Sequence, residues 1–155
     1  MQLLSSGDVC KILSTHKATF PRKTLDNWVK QGIVVPVVNP AGTGNHRMFT
    51  ISQALGLAVG RGLRASGVSF KAAGTVMESL MNASEGELKS LFARGKCYVV
   101  ILGDEVFPDL LSRKMFEKHM NKVSEETGLF PIAVDAQAVY ERILRVLKIE
   151  EKQPA

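Results

Sequence analysis

The stretch "PRKTLDNWVKQGIVVP", residues 21–36, decides how this chain is read. Its first part has a helical period. Leu25, Trp28 and Val29 fall on one face, while Lys23, Asn27 and Lys30 are spaced to share another, outward one. Pro21 suits a first turn and Gly32 a stop, so the spacing predicts a helix from about 21 to 31. The next residues, "IVVPVV" at 33–38, are β-branched and extended, broken by Pro36. A short helix with a basic, amide-bearing outer side therefore feeds directly into an extended segment.

Upstream, Ser5 with Asp8 three residues on forms a capping-box pattern, and Val9, Ile12 and Leu13 then share a helical face. Cys10 among them reads as a small buried side chain. The polar "STHKATF", 14–20, breaks the period, which makes helix, turn, helix. Downstream, "NPAGTGNHRMFT" at 39–50 is a glycine-rich connection between two extended segments, the pattern of a β-hairpin. A third helix over about 52–65 buries Ile51, Leu55, Ala58, Val59 and Leu63. Its glycines at 56, 60 and 62 each cost about 1 kcal/mol relative to Ala, so a close helix contact is expected there. Gly67 ends it. Ser69 caps a fourth helix to about Met81, with Phe70, Ala73, Val76, Met77 and Leu80 inward.

"NASEGE", 82–87, is the expected boundary between a domain of residues 1–82 and one of residues 83–155. Ser84 with Glu87 starts a short helix through Leu88, Leu91 and Phe92. "CYVVIL", 97–102, reads as a strand covered on both faces. Beyond it comes a helix over about 112–127, with Met115, Phe116, His119, Met120 and Val123 inward. "LFPIAV", 129–134, reads as a second strand. Asp135 then caps a last helix lined by Val139, Tyr140, Ile143, Leu144 and Leu147. A helix of crossover length between the two apolar runs implies that they pair in parallel. A segment around residues 105–107 could add a third strand, kept short by Pro108 and its flanking acids. So small a sheet leaves naked edges, which predicts a second copy joined through residues 83–155.

The charge divides with the boundary. Residues 1–82 hold nine Lys/Arg and three Asp/Glu, a net of +6, and residues 83–155 hold eleven and twelve, a net of −1. The basic excess lies wholly in the first half, which suits a polyanion-binding module with a second function attached. At 155 residues and 45 % apolar the chain has material for one ordinary domain or two small ones. No run approaches a membrane span, the first residues do not read as a secretory signal, and two cysteines are too few for a disulfide framework or a protein-only metal site. A soluble protein of a reducing cytoplasm is expected. Asp104, Glu105, Asp109 and His119 read as solvated turn acids and a core histidine rather than metal ligands. No nucleophile–base pair marks a catalytic residue.

The joints of the first half resemble the MerR family of winged-helix transcriptional regulators. "GDVCKIL" resembles that family's first-helix pattern, and "PRKTLDNWVKQGIVVP" its recognition helix and exit. "NHRMF" is similar to the returning strand of its wing, and "LRASGVSFKAAGTVM" to a later Leu-Arg-x-x-Gly-Phe-Ser-Leu segment. The resemblance covers about residues 3–81 and fails beyond 83. There the family typically continues into a long dimerisation helix, but this chain alternates strand, helix, strand, helix. "STHKATF" makes the first turn longer than the family usually has, and Asp26 stands where the family often has Arg. The expected partner for Asp26 is Lys30, ahead of the alternative that it accepts from a cytosine amino group.

The resemblance implies an N-terminal winged helix-turn-helix, and the strand–helix order beyond it adds a small α/β domain for self-association or ligand sensing, which makes an α+β chain. The resemblance also implies a bacterial or phage, nucleoid-associated regulator that binds double-stranded DNA as a homodimer on a palindromic site, with no cofactor and an effector still to be identified. Lys23, Asn27 and Lys30 would face the major groove and Arg22 the phosphates. Asn45, His46 and Arg47 would meet the backbone beside the wing. Asn27 could read adenine and Lys23 guanine. Two alternatives stay open: an architectural adaptor for phage or plasmid packaging, excision or segregation, and an enzyme with a catalytic C-terminal half.

Overall fold

Ser5 ends a three-residue strand, and its side chain starts the helix that follows. The computed structural model describes residues 1–41, 46–93, 97–102, 105–106, 111–128 and 132–151. It begins with strand β1 (Leu3–Ser5) and helix α1 (Ser6–Leu13). Ser5 Oγ accepts from Asp8 N at 3.2 Å, and Asp8 Oδ2 accepts from Ser5 N at 2.9 Å, completing the expected capping box. The long turn after α1 is pinned. Ser14 Oγ donates to Cys10 O and accepts from Phe20 N at 2.8 Å, and Thr15 and Ala18 exchange backbone bonds. Helix α2 (Arg22–Lys30) ends where predicted. Gly32 at φ +72° donates to Val29 O while Ile33 N donates to Trp28 O, a Schellman closure that favours a residue without Cβ.

Strand β2 (Met48–Thr50) pairs antiparallel with β1, with Phe49 opposite Leu4. The expected hairpin partner, 33–38, contributes one isolated bridge, Val38 to Met48. Three residues of β1 are too few to show a period of two, so the pairing of the N-terminus is not legible beforehand. Gln53 holds the 33–38 segment from the other side, donating from Nε2 to Val35 O at 2.6 Å.

Helix α3 (Ile51–Ala65), capped by Thr50 with Gln53, is the central helix, buried nearly all round. Against it lies α4 (Phe70–Met81). A Cβ at Gly56 would stand 2.5 Å from Met81 Cγ and 3.0 Å from Met77 O, and one at Gly60 would run into Met77. The expected close contact is made at these two positions, whereas Gly62 faces open space. Phe70 departs from its expected inward place. It stands 79 % exposed at the start of α4, with the Arg64 guanidinium 3.6 Å from its ring centroid.

The second half runs α5 (Glu85–Phe92), β3 (Cys97–Leu102), β4 (Glu105–Val106), β5 (Leu111–Ser112), α6 (Arg113–Thr127), β6 (Ile132–Asp135) and α7 (Ala136–Glu151). The expected parallel pairing of the two apolar strands is corrected: β6 runs antiparallel to β3, from Tyr98 opposite Asp135 to Ile101 opposite Ile132. A crossover helix does join parallel strands here, but a different pair. Helix α6 connects β5 to β6; both are antiparallel to β3, so they are parallel to each other across it. Two residues of β5 are too few to register as a strand in the sequence. Because β4 and β5 both pair with β3 as well, its edges are occupied. Met115, expected inward on α6, is 54 % exposed, while Val123 is buried.

The expected boundary falls in the connection from α4 to α5. One apolar cluster extends through both halves: Ile143 and Leu147 of α7 belong to it with Ile12 of α1 and Leu57 of α3, and Phe92 stacks on Tyr140 at 4.6 Å.

Candidate nucleic-acid interface

Helix α2 has an anchored underside and an open top. Leu25 is 1 % exposed, and half-buried Trp28 rests on Phe20 with ring centroids 5.2 Å apart. Arg22, Lys23, Asn27 and Lys30 are all exposed. The 23–27–30 spacing thus becomes one continuous side of a fixed helix bearing two ammonium groups and one amide. No acid occupies the first turn of α2, so its N-terminal N–H groups add to the positive field.

The one acid of this helix is tied off. Arg47 Nη1 meets Asp26 Oδ1 at 2.5 Å, and Arg47 Nε donates to Asn39 Oδ1 at 3.1 Å. The Asp26 partner expected from sequence is Lys30; in the structure it is Arg47. The reason is geometric. An exposed i,i+4 pair gains only a few tenths of a kcal/mol, whereas Arg47 presents a planar fork already held by Asn39. Arg47 itself is 19 % exposed at its side chain, so most of it is covered rather than offered to solvent. Of the other residues expected beside it, His46 is exposed and Asn45 lies outside the described residues. Asp104 and Asp109 also lie outside them.

Two contributors escape a reading of the sequence. Asn39 fixes Arg47 across eight residues, a contact with no local sequence signal. Cys10 is half-buried near Arg22 and Asp26. Burial pushes its thiol pKa up, Arg22 opposes this and Asp26 adds to it. A neutral thiol therefore lies next to the basic helix, where a thiolate would weaken the positive field.

Residues 4–80 match the model of a family described as MerR HTH family regulatory protein. No curated protein matches the chain.

Proposed function

Because residues 4–80 belong to the MerR helix-turn-helix family, we propose that this chain is a transcriptional regulator that reads double-stranded DNA with the outer side of α2. The observation that carries the reading is the exposed set Lys23, Asn27 and Lys30 above a buried Leu25. A major groove admits one helix, and these three side chains are the ones a groove would meet. Asn27 suits an adenine edge and Lys23 a guanine. Arg22 and Lys30 at the ends of the helix suit phosphates.

Residues 33–50 serve as the wing. The Val38–Met48 bridge and the Gln53–Val35 bond hold its base. His46 and Asn45 would meet the DNA backbone beside it. Arg47 acts differently from a free phosphate grip: it locks the wing to α2 by neutralising Asp26 and leaves the helix face uniformly basic.

The regulator acts as a homodimer through residues 83–155 on a palindromic site, among nucleoid DNA in the cytoplasm. With β3 satisfied on both edges, this rests on two other features. Among the described residues β6 pairs with β3 alone, which leaves an edge, and Met115 stands exposed on α6. Among the described residues no helix is long and apolar enough to cross a membrane.

The test is selection of bound fragments from genomic DNA, then footprinting. A palindromic footprint at promoters supports the regulator, whereas broad or end-specific binding replaces it with the architectural adaptor. Asn27→Ala should cost about 1–3 kcal/mol on the selected site and little on random duplex. Equal losses on both would remove α2 as the reading element.

A further inference from the structure

Where the end of α1, the turn after it, α3 and α7 meet, a cleft of about 250 Å³ opens, lined by Leu13, Thr15, Ala58 and Ala65 together with Arg61 and Arg142. We infer that this cleft is a binding site for a small organic anion, a carboxylate or phosphate on a compact apolar body.

The charges come first. Two arginines line one small space, and Arg145 lies near enough to act on Arg142 as well. Burial holds the Arg142 pKa below its ordinary value, and the like charges of Arg145 and Arg61 push it the same way. Such a cluster is unfavourable by itself, and a bound negative charge removes the repulsion.

The hydrogen bonds point to the same ligand. Arg142 Nη2 donates to Ile12 O, which fixes the guanidinium at the end of α1. Its Nε is buried with no partner among the described residues. Buried donors are nearly always satisfied, and one left open costs about 1–3 kcal/mol. Arg61 is also held, its guanidinium carbon 5.0 Å from the Phe20 ring centroid. Planar forks of this kind match the oxygens of a carboxylate or phosphate. Thr15 Oγ1 accepts from Ala18 N, which leaves its hydroxyl proton to donate. Leu13, Ala58 and Ala65 supply the apolar wall, and Gly62 narrows nothing, having no Cβ. The volume lies just under the ~300–1,000 Å³ of drug-sized pockets, so the ligand is smaller than those.

The cleft also joins the C-terminal half to the turn that leads into α2. A ligand there braces α7 against α1 and α3. Any effect on DNA rests on the regulator reading above, but the binding itself does not.

The experiment is calorimetric titration of the full chain with benzoate and phenylphosphonate. Neutral benzamide and sodium chloride at matched ionic strength serve as controls. The expected result is saturable one-to-one binding of at least one anion and none of benzamide. Arg142→Gln and, independently, Arg61→Gln should each weaken binding about tenfold or more, the loss of a charge-assisted hydrogen bond. Arg61→Gln and Arg145→Gln leave the Ile12 contact intact, so they serve if Arg142→Gln does not fold. Heat no greater than that of matched salt, or equal affinity in the variants, overturns the site. Because no DNA is present, failure here is distinct from failure of the DNA reading.

Discussion

Arg47 and Asp26, twenty-one residues apart, close at 2.5 Å and tie the chain just before β2 to the middle of α2. The acid that looks out of place on this basic helix is thereby a fastening. Its charge is cancelled by the residue that would otherwise have served only as a phosphate contact. Asn39 completes the arrangement by accepting from Arg47 Nε.

Breaking that pair should have unequal consequences. Arg47→Ala leaves Asp26 uncompensated beside the groove and should weaken binding to specific and random duplex alike. Asp26→Asn should instead raise affinity for random duplex, since it removes the acid and releases a cation. In thermal unfolding a double-mutant cycle should give a coupling of about 0.5–1 kcal/mol, modest because both side chains are partly exposed. Additive single effects would show that the contact fastens nothing.

The glycines of α3 should separate by environment. Gly56→Ala puts a methyl group against Met77 O, which is backbone and cannot swing away, and should destabilise by about 1–3 kcal/mol. Gly62→Ala, into open space in a helix interior, should instead stabilise by roughly 0.5–1 kcal/mol. Melting curves of the two variants decide it. A similar sign for both would mean that α3 and α4 are not in the contact described.

Cys10 should be a sluggish thiol. In a Cys97→Ser background, alkylation by iodoacetamide near pH 8 should run slower than for free cysteine, because a raised pKa leaves less thiolate. Stability depends on pH with a definite sign. The neutral thiol is favoured in the fold, so this contribution is intact below the ordinary thiol pKa and is lost as pH rises through the raised value. Alkylation as fast as free cysteine would contradict the burial of this side chain.

Sedimentation of the full chain at micromolar concentration should give twice the 16.9 kDa of one chain. Charge placed at the exposed Met115, as Met115→Glu, should shift the equilibrium toward monomer. A wild-type chain that is monomeric under these conditions removes the dimer and the palindrome with it.

Helices are legible in this sequence because their ends carry chemistry. Ser5 with Asp8, Ser84 with Glu87, Ser69 and Gly32 mark termini that the fold uses as read. The short strands are not. β1 and β5 have three and two residues, below any periodic signal, and without β5 an antiparallel sheet reads as a parallel one. Phe70 and Met115 satisfy the period of an inward face yet stand outside, because period says which residues share a side and not where the packed neighbour stops. On α2 the exposed set 22, 23, 27 and 30 is readable from spacing. The Asp26 pairing is not, since its partner arrives through a strand pairing that the sequence does not advertise.

The central claim is that the outer side of α2 meets a DNA duplex with its end cations on the phosphates, and the salt dependence of duplex binding tests it most directly. Arg22 and Lys30 from each of two protomers, about four phosphate contacts at ~0.9 each, predict a slope of log K against log salt near −4. In the Lys23→Ala, Lys30→Ala variant that slope should fall to about −2. A wild-type slope near zero, or one unchanged in the variant, would contradict it.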